Sequence, residues 1–126
     1  MTPFEQQFEI LKADQPSAER ERLPDGSYLI TVPGFKLPTG WSKESVTLKF
    51  IAPVGYPFAP ADCFWTDPDL RVAGSTAIPQ NTGATPLPHK GGAHLWFSWH
   101  VAKWNPNVDS LLTYLHVIEQ RFSTAR

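Results

Sequence analysis

Residues 94–106 read HLWFSWHVAKWNP, and the rest of the chain is organised around them. Trp96, Trp99 and Trp104, His94 and His100, and Ser98 fall in a window that follows neither a clean helical nor a clean strand period. A short run this rich in large rings with polar handles fills a core corner or lines a site; here it is read as doing both. Ser98 and His100 are two positions apart, so an extended backbone sets them on one side, where the imidazole could take the hydroxyl proton. The plainer reading of the same residues is a tryptophan-rich corner in which His100 is satisfied by hydrogen bonds.

Behind this stretch comes the strongest helix, expected over 108–123. Leu111, Leu115, Ile118 and Phe122 recur on one face, and Asn107 or Asp109 is placed to cap it. Ahead of it, residues 67–93 keep no period and are rich in Gly, Pro, Asn and Thr. An irregular stretch of that length either lids a site or contributes to one. No phosphate loop is read at Gly83, Gly91 and Gly92, because no Lys-Ser/Thr and no helix follow.

The first half supplies a small sheet. In TPFEQQFEILKA, Thr2 caps, Pro3 opens and Glu5 completes a capping box for a helix over 3–13. Phe4, Phe8 and Leu11 form its buried stripe, with Ile10 beside them; Glu5, Gln6, Gln7, Glu9 and Lys12 are read as facing outward. Residues 14–27 read as connection. The segments 28–32 and 45–52 alternate as half-buried antiparallel strands, with Pro33-Gly34 punctuating the first. After them, prolines 53, 57 and 60 impose a rigid extended corner, and 62–66 add a third strand. Cys63 on that strand reads as a buried structural thiol. The order of helix, three or more antiparallel strands, long loop and helix makes an α+β arrangement. Both helices should cover one face of the sheet, with no strand carried through 94–103, and Pro57 and Pro60 should abut Trp104.

At 126 residues the chain suits one domain over 1–126. It is 41% hydrophobic, 18% charged and 13% aromatic, which is the composition of a folded globular protein. A net charge of −1 without any basic block disfavours nucleic acid and anionic membranes as partners. With neither a signal-like segment nor a long apolar run, the cytoplasm is the default location. A lone cysteine leaves no disulfide framework. His89, His94 and His100 fit no established zinc spacing, so no metal and no other cofactor is expected.

Two segments carry a family resemblance. YPFAPADCFWT, residues 56–66, resembles the Tyr-Pro-x-x-x-Pro motif of the ubiquitin-conjugating fold where it runs into the next strand, although Pro60 comes one position early. Trp104-Asn105-Pro106 followed by LLTYLHVIEQRF resembles that fold's Trp-x-Pro and its next long helix. The likeness spans essentially the whole chain, without the carboxy-terminal helices of the eukaryotic enzymes. Phe64-Trp65-Thr66-Asp67-Pro68, and Trp96-Phe97-Ser98-Trp99-His100 with Trp104 following, are similar to the prokaryotic ubiquitin-conjugating-like family E.

The resemblance implies a ubiquitin-like modifier, an adenylating activating enzyme and a deubiquitinase-type metalloprotease as partners. It departs at the nucleophile: the family's cysteine lies roughly eight residues before the Trp of Trp-x-Pro, and counting back from Trp104 reaches Trp96. Nor is its His-Pro-Asn signature present, Pro88-His89-Lys90 being a degenerate echo. Three functions therefore stand at this stage. One is a carrier that uses Ser98 and His100 in place of the cysteine. Another is a noncatalytic module that grips the modifier. The third is a small-molecule domain with an aromatic pocket. Trp96, Trp99, Trp104, His94 and His89 are the candidate binding residues.

Overall fold

The computed structural model describes all 126 residues. Helix α1 (Pro3–Asp14) leads into strands β1 (Glu19–Arg22), β2 (Tyr28–Lys36), β3 (Ser45–Ala52), β4 (Phe64–Thr66), β5 (Thr82–Gly83) and β6 (Leu95–Phe97), and helix α2 (Leu111–Phe122) follows. The strands form one antiparallel sheet in the order β1-β2-β3-β4-β6-β5. The architecture is thus α+β, with a helix at each end and the sheet between. No helix is long and apolar enough to cross a membrane.

Pleating decides what each face carries. Along β3, Val46, Leu48, Phe50 and Ala52 are buried, while Thr47, Lys49 and Ile51 between them are only half-buried. The first set meets Phe4, Phe8 and Leu11 of α1 and Leu111, Tyr114, Leu115, Ile118 and Phe122 of α2 in a single apolar core. Phe122 sits among rings: Trp41, Phe64 and Phe97 approach it edge-on at 5.4, 5.5 and 5.4 Å. Trp41 also donates its indole N–H to the Phe122 carbonyl at 2.9 Å, which pays for burying that polar atom. Beside this cluster lies Arg121, fully buried near the end of α2.

The opposite face has its own smaller core of Leu23, Leu29, Trp65 and Leu87, with Ile51, Cys63 and Trp96 packed against it. Leu87 belongs to the irregular stretch, which folds back over this face. Trp65 ties it down by donating to the Thr85 carbonyl at 3.1 Å, and Lys90 pairs with Glu21 at 2.7 Å.

Several sequence expectations need correction. Residues 14–27 are not all connection, because Glu19–Arg22 pairs along β2 as the edge strand β1. Its ERER sequence has no apolar face for periodicity to detect, and all four residues are exposed. Pro33-Gly34 does not end β2. The register slips between Val32 and Phe35, so the pair forms a bulge that lets the strand run on to Lys36, and Gly34 supplies its positive φ of 66°. Thr82–Gly83 and Leu95–Phe97 are short strands where none was expected, the second lying inside 94–103.

At α1 the Thr2 hydroxyl accepts the Glu5 N–H at 3.1 Å, but the Glu5 carboxylate takes the Thr2 hydroxyl hydrogen rather than the Thr2 backbone N–H, so only the first half of the capping box forms. Gln7 faces inward: its Oε1 accepts the Leu111 N–H at 3.2 Å and the Tyr56 hydroxyl, joining both helices to the proline corner. Ile10 is exposed.

Helix α2 starts at Leu111 and is capped by neither Asn107 nor Asp109. Asp109 instead accepts the Asn105 N–H at 2.8 Å. Ser110 is the cap, in a reciprocal box with Thr113. Ser110→Ala should therefore cost about 1 kcal/mol in urea unfolding, while Asn107→Ala should stay within about 0.5 kcal/mol.

Candidate functional site

After Phe97 the chain leaves the sheet and is pinned by hydrogen bonds at Ser98, Trp99, His100 and Trp104. The Ser98 N–H donates to the Asn81 carbonyl at 2.9 Å, the last bond between the β5 and β6 segments. One residue on, the Trp99 carbonyl accepts the Tyr114 hydroxyl of α2 at 3.0 Å. His100 Nδ1 lies 2.7 Å from the Asp62 carbonyl oxygen and 2.5 Å from Asp62 Oδ1. The Trp104 indole N–H donates to the Pro57 carbonyl at 2.7 Å, with the Tyr56 ring 5.8 Å away. The expected contact between the proline corner and Trp104 is thus present at Pro57. Tyr56 and Tyr114 are both raised above the ordinary tyrosine range, chiefly by burial, so each acts here as a neutral hydrogen-bond donor.

Asn81, Ser98, Trp99, His100 and Ala102 line a cleft of about 440 Å³ that opens to solvent. Asn81 reaches it with a positive φ of 60°, a conformation asparagine tolerates better than most residues. Ser98 and His100 share this cleft, yet no hydrogen bond joins them. The Trp99 ring is approached by two cations, with the Arg121 and Arg126 guanidinium carbons 5.6 and 5.7 Å from its centroid. Burial, with the like charge of Arg126, lowers the Arg121 pKa to about 10. Such a cleft presents a hydroxyl beside an imidazole that is held through Nδ1.

The remaining sequence candidates go elsewhere. Adjacent residues of a strand point to opposite faces, so Trp96 leaves Phe97 in the main core and joins Trp65 and Cys63 on the other side. Trp104 belongs to the proline corner. The three tryptophans therefore line no common pocket. His94 receives Lys49 Nζ at 3.2 Å on Nε2 and faces the Gly92 carbonyl with Nδ1, while His89 lies 3.5 Å from Asp25. His89, His94 and His100 are at separate places, and no cluster of three metal-ligating side chains occurs.

Asp62 is the site residue that the linear sequence hid. Its partner is 38 positions away, and the only sequence signal is an acidic residue at the start of the 62–66 segment. Cys63, next to it, is only half-buried rather than enclosed, and lies just ahead of β4 rather than on it. Its thiol pKa is raised chiefly by burial and further by the Asp62 charge, against the lowering effect of Trp96.

One family model, described as Prokaryotic E2 family E, matches residues 9–125. No curated protein and no solved structure matches the chain.

A raised thiol pKa means less thiolate at neutral pH. Native Cys63 should react with a maleimide at pH 7 more slowly than the unfolded chain, and the gap should narrow as pH rises. Equal rates at pH 7 would show that the thiol is open.

Proposed function

Since the chain belongs to the prokaryotic E2 family E, we propose that it is a ubiquitin-conjugating-like carrier of a bacterial ubiquitin-related modifier system. On this reading the α+β frame is a ubiquitin-conjugating fold, and the Asn81, Ser98 and His100 cleft receives the carboxy-terminal tail of the modifier. One observation carries the reading: Ser98 and His100 open into a single solvent-facing cleft, on the turn that leads to Trp104, while Cys63 packs against the far face of the sheet. The partners are a ubiquitin-like protein and the adenylating enzyme that activates it.

The chemistry is acyl transfer from sulfur to oxygen. Ser98 Oγ attacks the carbonyl carbon of the modifier's thioester on the activating enzyme, and the hydroxyl proton passes to His100. As the C–S bond breaks, the departing thiolate takes that proton, leaving the modifier as an oxyester on Ser98. A second reading, a noncatalytic module that grips the modifier, is favoured by the missing hydrogen bond between Ser98 and His100. The small-molecule reading loses its support, since the tryptophans share no cavity.

Incubation with the modifier, its activating enzyme and ATP should yield a covalent adduct that survives thiol treatment and breaks in mild base. Ser98→Ala should abolish the adduct, and Cys63→Ser should leave it intact. A modifier that binds without forming any adduct decides for the noncatalytic module.

A further inference from the structure

An imidazole accepts a proton only through a ring nitrogen that carries no hydrogen, and the bond made by the other nitrogen decides which one that is. At His100 the decision falls to Asp62, through the sheet register. Phe64 of β4 stands opposite Phe97 of β6, so two residues before the one and three after the other bring Asp62 and His100 together. Nδ1 then faces two oxygens of one residue, the backbone carbonyl at 2.7 Å and the carboxylate at 2.5 Å. A carbonyl oxygen and an ionised carboxylate are acceptors only. Two acceptors converging on one nitrogen require Nδ1 to hold the hydrogen, which leaves the Nε2 lone pair free. No group of the chain bonds Nε2.

We infer that Asp62 is a positioning residue for acyl transfer in this cleft, keeping His100 in the Nδ1–H form so that Nε2 stands ready as the proton acceptor. The inference rests on the carrier reading above and adds the group that orients its base. Asp62 touches neither Ser98 nor the acyl carbon in this scheme. Its carboxylate also stabilises the transient imidazolium formed when the Ser98 proton arrives. Stability does not account for the pair: the two side chains are 56% and 74% exposed, and an ion pair so open to water contributes little.

Carbonyl and carboxylate can be separated by substitution. Asp62→Ala keeps the backbone acceptor and loses the charge. Asp62→Asn keeps the carbonyl too, but adds an amide NH₂ that can donate to Nδ1 and drive the hydrogen onto Nε2. Because Asp62 is exposed, both variants should fold, which circular dichroism would verify. Long-range ¹⁵N–¹H NMR of the full chain at mildly alkaline pH reads the tautomer directly. The expected result is the Nδ1–H form in the parent and in Asp62→Ala, and a shift toward Nε2–H in Asp62→Asn.

The second readout is p-nitrophenyl acetate, an activated ester that needs no partner protein. Its acyl group passes to Ser98 Oγ as nitrophenolate leaves, His100 takes the proton, and water then clears the ester. Asp62→Asn should lower kcat roughly tenfold with KM little changed, and Asp62→Ala should fall between it and the parent. An Nε2–H tautomer in the parent protein, or an Asp62→Asn variant as fast as the parent, would overturn the inference. Neither readout uses a modifier, so failure here is distinct from failure of the adduct experiment.

Discussion

The guanidinium of Arg121 is a buried cation that three separate parts of the molecule are built around. From near the end of α2 it donates through Nη2 to the carbonyls of Gln80 at 2.8 Å and Arg126 at 2.9 Å, and more weakly through Nη1 to Thr124 at 3.5 Å. The rings of Trp41, Phe97 and Trp99 pack around it at 5.3 to 5.6 Å. Burying a cation is costly unless acceptors and π-faces replace water, and here both do so, although Nε stays without a partner. The carbonyls belong to the irregular stretch and to the chain's last residues, so the helix, the loop before β5 and the terminal segment are fixed relative to one another. Asn81 follows Gln80 directly and forms one wall of the cleft. The cleft thus depends on a charge that no ligand would touch.

Sheet pleating imposes the second constraint. Because neighbouring strand residues face opposite ways, the aromatic run at 95–97 is divided between two cores, and a sheet with apolar residues on both faces needs two covers. The helices form one. The returning stretch around Leu87 forms the other, held by Trp65 and by the Lys90 to Glu21 pair. What reads as an unstructured insertion is therefore a packing layer, and its last turn delivers the chain to His94 and β6.

Much of this was legible in the sequence. Apolar stripes at helical spacing gave both helices, alternation gave β2 and β3, and the prolines at 53, 57 and 60 with Trp104 gave the corner that stands against it. The cleft was half legible: Ser98 and His100 were singled out by their spacing and do share a cavity, whereas Asn81 and Asp62 reach them through strand pairing that no local window contains. Gln7 and Arg121 were hidden for a different reason. Each is a polar side chain on an amphipathic helix, Gln7 read as facing outward and Arg121 given no reading at all, yet each turns inward to satisfy helix-end or loop groups that would otherwise be bare. β1 escaped notice because an edge strand needs only a neighbour's free backbone groups and no apolar face of its own.

That edge strand bears on how the molecule behaves among extended chains. A sheet with an open side tends to recruit any loose peptide as a further strand, a route to sticking and aggregation. Here one border is ERER, whose charges water holds, and the other is the two-residue β5. The charges on the first and the shortness of the second discourage a passing backbone from pairing there. The molecule can then meet extended chains at high concentration without zipping to them along its flank.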